Sequence, residues 1–136
     1  MSKKILITGP SGLIGTRLTE QLLQKGYQVW HLSRNKKKGI PSFTWDVENG
    51  IMDTKALEGV DAIVHLAGAG VADKRWTESR KKEILESRTK SSALLYKTLA
   101  GANHSVKSVI SASAIGYYGF GFGEEVFKED SRSGND

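Results

Sequence analysis

The sequence predicts an α/β fold of the doubly wound type, a parallel sheet carrying helices on both faces, and three observations predict it. Short apolar runs alternate with longer stretches of helical period, the first run is continuously apolar, and a glycine-rich turn joins that run to the first helical stretch. Lys4 to Thr8, with Ile5, Leu6 and Ile7 in succession, reads as a strand buried on both faces. From Gly12 the period changes: Ile14, Leu18 and Leu22 recur every fourth residue as the buried stripe of a helix, which Gly26 stops after Lys25. Gln28 to Ser33 follows as a second strand, Phe43 to Val47 as a third and Asp61 to Leu66 as a fourth. Thr77 to Ala100 is a long helix whose buried face carries Ile84, Leu85, Leu94, Leu95 and Leu99, with Ser87 and Ser91 on that same face. Lys107 to Ser113 is the fifth strand, and residues 120–136 read as a polar, glycine-containing tail. With about five strands in this order, right-handed crossovers would place helices on both sides of the sheet.

A chain of 136 residues has room for one domain, here residues 1–136, and a domain of that size buries roughly two thirds of its unfolded surface. Hydrophobic residues at 38%, charged residues at 26% and a mean hydropathy of −0.36 belong to an ordinary globular protein. No apolar run reaches membrane-spanning length, and the start Met1-Ser2-Lys3-Lys4 lacks the pattern of a signal peptide, so no membrane contact and a cytoplasmic address are expected. The chain has no cysteine, and neither His65 nor His104 has acidic or histidine neighbours at ligand spacing, so no metal is expected. The net charge of +5 raises the question of nucleic acid. Its clusters are short: Lys36-Lys37-Lys38 lies in a turn-like stretch, and Lys74-Arg75 with Arg80-Lys81-Lys82 is interleaved with Glu78, Glu83 and Glu86. Mixed-sign runs of this kind read as solvated surface, and no nucleic-acid partner is expected.

The turn Thr8-Gly9-Pro10-Ser11-Gly12-Leu13-Ile14-Gly15 follows the first strand and opens the first helix, the context in which a three-glycine pattern gains meaning. Gly9 permits the tight turn, Gly12 lets backbone approach a pyrophosphate, and Gly15 allows close packing of helix and strand. The N–H groups of the first helical turn then face the phosphates. This is the pattern of a Rossmann-type site for a dinucleotide, with Gly9, Ser11, Gly12, Leu13, Ile14 and Gly15 as candidate contacts. An NAD site usually offers a carboxylate about twenty residues on, at the end of the second strand, for the ribose 2′-hydroxyl. This chain offers His31-Leu32-Ser33-Arg34-Asn35 instead. Arg34 can grip a 2′-phosphate, which favours NADP(H) over NAD(H).

These glycines, with His65-Leu66-Ala67-Gly68 after the fourth strand and Ser111-Ala112-Ser113 after the fifth, resemble the extended short-chain dehydrogenase/reductase superfamily. His65 to Gly70, Arg75-Trp76-Thr77, Lys81-Lys82-Glu83-Ile84 with Ser87-Arg88, and Ser111 to Gly119 narrow the resemblance to its atypical branch, NAD-dependent epimerase/dehydratase-like and sugar-nucleotide epimerase-like. The resemblance covers nearly the whole chain. It implies that Asp46 and Val47 lie beside the adenine, that Leu66, Ala67 and Gly68 line the cofactor path, and that Ser113 matches the catalytic serine. It further implies that Ser87 stands where many relatives carry a helix asparagine. Tyr117 or Tyr118 is a candidate acid/base, with aromatic wall of the nicotinamide pocket as the favoured alternative.

The chain departs from that pattern in two ways. No Tyr-x-x-x-Lys pair occurs, since the fourth residue after Tyr27, Tyr96, Tyr117 and Tyr118 is His31, Ala100, Gly121 and Phe122 respectively. Members of the family are also considerably longer, so this sequence reads as the N-terminal, cofactor-binding part of an incomplete fold with little turnover of its own. Two functions stay open at this point. One is an NADP(H)-dependent oxidoreductase or epimerase acting on an unknown small-molecule substrate, with a sugar nucleotide as the candidate class; the other is a non-enzymatic module that senses NADP(H) and contacts a partner. The fifth strand is expected as an exposed sheet edge through which a homodimer forms.

Overall fold

The structure, a computed structural model, describes residues 2–36, 38–68 and 75–112. In chain order they form β1 (Lys4–Thr8), α1 (Leu13–Gln24), β2 (Gln28–Ser33), β3 (Ser42–Asp46), β4 (Ile51–Met52), a 3₁₀ turn (Thr54–Leu57), β5 (Ala62–His65), α2 (Glu78–Gly101) and β6 (Ser108–Ser111). The strands make one sheet in the order β4-β3-β2-β1-β5-β6, parallel throughout except for the β3–β4 hairpin. This is the expected Rossmann-type doubly wound sheet, with one short antiparallel strand added that the apolar pattern did not predict.

Strand alternation divides the core between the two faces. Leu6, Leu32, Trp45 and Ile63 point to one side, where they pack with Leu57 and Val60 against Leu94 and Leu95 of α2. Ile5, Ile7 and Val29 point to the other, against Leu18 and Leu22 of α1. The continuous apolar run of β1 is therefore explained by a helix on each side of it. The first helix ends as its glycine requires: Gly26 has φ +87°, and the N–H groups of Gly26 and Tyr27 close back on Leu23 O and Leu22 O at 3.1 and 3.0 Å. At the start of α2 the Thr77 side chain accepts the Arg80 N–H at 3.1 Å.

Three expectations about the helix faces need correction. Ile14 is 62% exposed and Leu85 63% exposed, although helical period placed both on buried stripes. A helix of 24 residues runs about 36 Å, roughly twice the length of a five-residue strand. The helix therefore exceeds the strands in length, and its apolar core contacts are made in its second half by Leu94, Leu95 and Leu99; Ile14 sits in the first turn of α1. Conversely Arg80, read as part of a solvated charged face, is buried, with Nη1 2.8 Å from Glu83 Oε1. Its neighbours conform, as Lys81 and Lys82 make exposed pairs with Glu78 and Glu86. At the far edge of the sheet all four residues of β6 are exposed among the described residues. The polar tail expected at 120–136 lies outside the described residues.

Candidate functional site

The sheet order reverses direction between β1 and β5, because β2 and β3 lie on one side of β1 while β5 and β6 lie on the other. In an open parallel sheet the crevice outside the strand ends at such a point is where ligands bind. Two segments face each other there: the turn from Gly9 to Gly12 leaving β1, and Leu66-Ala67-Gly68 leaving β5.

Main-chain crowding fixes the first segment. Gly9 has φ +66°, and a Cβ on it would lie 2.8 Å from the Leu66 carbonyl and 2.9 Å from the Ala67 nitrogen. A Cβ on Gly15 would lie 2.5 Å from Gly9 O and 2.8 Å from Pro10 Cα. Gly15 thus lets the helix close on the turn itself rather than on the strand, a refinement of the expectation. Gly12 differs from both. It is the N-cap of α1 with extended backbone and no side-chain cap, and a Cβ there would meet nothing nearer than Gly9 O at 3.7 Å. The space over Gly12 is open, and the main-chain ladder of α1 begins with the Thr16 N–H on Gly12 O at 3.0 Å. The donors ahead of it, on Leu13, Ile14 and Gly15, form the positive end of the helix dipole. Leu13 beside them is 91% exposed, and Ser11 is exposed as well. Ser11, Gly12, Leu13 and Thr16 line a shallow hollow of about 290 Å³.

The second segment is tied to β1 by the Leu66 N–H on Thr8 O at 3.2 Å and, more extensively, by the Thr8 side chain. Thr8 Oγ1 accepts the N–H groups of Leu66 and Ala67 at 3.0 and 3.1 Å. With both lone pairs engaged, its own proton goes to His65 Nδ1 at 2.7 Å. His65 is buried, with its ring edge-on to Trp45 at 6.2 Å, and its Nε2 lies 3.4 Å from Ser91 Oγ and 3.3 Å from Ser92 Oγ on α2. Ser91 donates its proton to Arg88 O at 3.1 Å, which leaves its oxygen to accept. The proton of His65 therefore resides on Nε2, and burial lowers the imidazole pKa below its ordinary value of 6.5. Beyond this junction Gly68 lies under Arg88, whose guanidinium carbon would be 3.0 Å from a Cβ at that position, and Arg88 Nη1 donates to Ile84 O at 3.1 Å.

The remaining candidates spread outward from the crevice. Arg34 stands exposed immediately after β2 and makes no ion pair among the described residues. Asp46 ends β3 and accepts Asn49 Nδ2 and N–H at 2.6 and 3.2 Å, bonds that lower its pKa. Val47 next to it packs on the core. Ser87 is half-buried on α2 and donates to Ile84 O at 2.9 Å. Ser113, Tyr117 and Tyr118 lie outside the described residues.

Sequence reasoning placed Thr8 in the turn and His65 at a strand end, but missed the network that joins them to each other and to Ser91, and the place of Arg88 over Gly68. Two signals were present: Ser91 is a polar residue on an apolar helical stripe, and His65 ends a buried strand. Among the described residues no cluster of three or more acidic or histidine side chains fits a metal ion, and no helix is long and apolar enough to cross a membrane.

The sequence model of the NAD dependent epimerase/dehydratase family matches residues 5–135 of this chain. A relative from Mycobacterium leprae, epimerase family protein ML0860, is 35% identical over 130 residues, which are 96% of this chain and 41% of that protein. Among solved structures, that of human epimerase family protein SDR39U1 (isoform 2) with NADPH is similar at a TM-score of 0.79 and 33% identity, covering 98% of this chain and 43% of that one. The structure of MoeE5 in complex with UDP-glucose and NAD is similar at a TM-score of 0.74 and 25% identity, covering 96% and 42%. The chain thus spans about two fifths of the length of these proteins.

Proposed function

Because the chain belongs to the NAD dependent epimerase/dehydratase family, we propose that it is the cofactor-binding part of a nicotinamide-dinucleotide oxidoreductase or epimerase, and that it takes NADP(H) in preference to NAD(H). One observation carries the reading. The turn is locked by main-chain contacts at Gly9 and Gly15 while the space over Gly12, at an uncapped helix N-terminus, is left open. A protein needs that combination when something anionic must come against backbone. In this reading the pyrophosphate lies on the N–H groups of Leu13, Ile14 and Gly15, with Ser11 beside it, and the adenine lies toward Asp46 and Val47. Leu66, Ala67 and Gly68 line the path to the nicotinamide, and Ser87 borders it from α2. Arg34 supplies the charge for a ribose 2′-phosphate. The NADPH named with the human relative supports that choice, and the NAD named with MoeE5 makes it a choice worth testing.

The bound dinucleotide would supply a hydride acceptor or donor, and the role of the described residues is to hold and orient it. Ser113, with Tyr117 or Tyr118, is the proposed source of proton chemistry, and the substrate is proposed to be a small molecule of the sugar-nucleotide class. The test is Gly12→Val. The substituted side chain enters open space, so the fold is kept, whereas the pyrophosphate loses its approach. NADPH and NADH should both lose at least a hundredfold in affinity, about 2.7 kcal/mol, while stability falls only by the roughly 1 kcal/mol that valine costs as an N-cap. Undiminished binding of either cofactor to Gly12→Val would place the nucleotide elsewhere and end this reading.

A further inference from the structure

We propose that His65, as a neutral imidazole protonated on Nε2, is a positioning residue for the cofactor crevice: it takes the Thr8 proton, which frees the Thr8 oxygen to hold the Leu66 and Ala67 amides in place. Protonation of His65 releases that hold and weakens cofactor binding. The inference rests on the cofactor reading above and adds to it a form of control by pH.

Thr8 Oγ1 has two lone pairs and one proton; the lone pairs are committed to two amides of the β5 exit at 3.0 and 3.1 Å, so the proton has one destination, Nδ1 at 2.7 Å. On the other side of the ring Ser91, donating to Arg88 O, offers only an acceptor to Nε2. A neutral ring satisfies both neighbours. An imidazolium carries a proton on each nitrogen, and its Nδ1–H would confront a Thr8 oxygen with no lone pair to spare. The hydroxyl oxygen then loses its hold on the amides; the Leu66 N–H keeps a second acceptor in Thr8 O at 3.2 Å, so the Ala67 amide is the one that depends on the hydroxyl alone. The Ala67 nitrogen is also an atom that lies against Gly9, so loosening it disturbs the contact between the two walls of the crevice.

Among the described residues, those in contact with the ring do not titrate. Thr8 from β1, Trp45 from β3, and Ser91 and Ser92 from α2 make its contacts, and Ser111 of β6 is its register partner on the far side of β5. Within three residues of these contacts the charged groups are Asp46 at the end of β3, bound to Asn49, Glu48 beyond it, and on α2 Arg88 and Lys90, the latter paired with Glu48 and Glu86; Lys4 of β1 and the other charges of α2 lie farther along their elements. Burial already keeps the imidazole on the neutral side. Cofactor affinity is therefore full at neutral pH and falls only in acid, by about tenfold for each pH unit below the folded pKa as the competent fraction shrinks.

The experiment titrates ADP-ribose, which lacks the titrating 2′-phosphate, into the full chain by calorimetry between about pH 5 and pH 8. Wild type should bind evenly at the upper end and progressively more weakly toward acid. His65→Asn puts an amide oxygen where Nδ1 accepts and cannot titrate, so it should bind within about threefold of wild type at about pH 8 and show no acid slope. In parallel, the His65 ring protons followed by NMR should titrate at lower pH when ADP-ribose is saturating, since linkage is reciprocal. A wild-type profile that is flat, an acid slope retained in His65→Asn, or an NMR midpoint unmoved by ADP-ribose overturns the proposal while leaving the cofactor reading intact. Failure of wild type to bind ADP-ribose at about pH 8 overturns the cofactor reading, and this inference with it.

Discussion

The turn after β1 and the loop after β2 stand beside each other at the same edge of the sheet, yet they are built on opposite plans. In the first, the atoms nearest to a Cβ on Gly9 or Gly15 are all main chain, within 3 Å, and a hydroxyl, an imidazole and two serines fasten it to β5 and α2. In the second, Arg34 is exposed and the hydroxyl of its neighbour Ser33 donates within the loop, to Asn35 O at 2.6 Å. A phosphate cradle made of backbone must be rigid before the ligand arrives, because its donors cannot adjust. A charge that tells one dinucleotide from another needs reach and solvent access instead. The difference suggests that affinity and cofactor choice are separable properties of this domain.

The largest effect expected from that contrast is at Gly15. An alanine there forces a methyl to within 2.5 Å of Gly9 O, with main chain on both sides and nothing flexible to yield. Gly15→Ala should cost about 3 to 5 kcal/mol of stability, as overpacking against backbone does at its worst. Urea denaturation measures it, and a loss below about 1 kcal/mol would mean that the turn is softer than its contacts imply.

A smaller, selective effect is expected at Arg34. Replacement by alanine should leave the melting temperature unchanged and weaken NADPH by about 1.5 to 3 kcal/mol, roughly ten- to a hundredfold, while NADH is unaffected. Tighter binding of NADH than NADPH by the wild type, or equal weakening of both by the substitution, would transfer the ribose contact to Ser33 or Asn35.

The least effect is expected at Lys90, which bridges Glu48 beyond β3 and Glu86 on its own helix at 3.1 and 3.3 Å in solvent. Exposed pairs of this kind are screened and cost side-chain entropy to order. Lys90→Ala should therefore be indistinguishable from wild type in both stability and cofactor titrations, and a clear loss in either would make the β3–β4 hairpin part of the rigid frame.

Which of these features could be read from the sequence follows from how local they are. The Thr8 to Gly15 turn was legible because all of its chemistry lies within one stretch, and the helix stop at Gly26 for the same reason. The parallel order followed from alternating periods. Ile14 and Leu85 were placed on buried faces because periodicity says which side of a helix is apolar and nothing about where the sheet beneath it ends. The β4 hairpin was missed although Asn49-Gly50 between Trp45 and Ile51 is a turn signal, since two residues are too few to show alternation. The Thr8–His65–Ser91 network was illegible for a different reason: its partners stand 57 and 26 residues apart, and only the folded sheet brings them together.

That separation bears on the order of assembly. The bonds from Leu66 and Ala67 to Thr8 join the first strand to one that begins nearly sixty residues later, and α2 must then close over His65. During synthesis the crevice cannot exist until all three have emerged, and parallel pairing across such a span is slow. A ligand that recognises only the finished crevice stabilises the folded chain by mass action, about 2.7 kcal/mol at a hundred times its dissociation constant. The nucleotide pool would then serve newly made chains as a folding template that acts last, drawing to completion those molecules in which the first strand has found its distant partner.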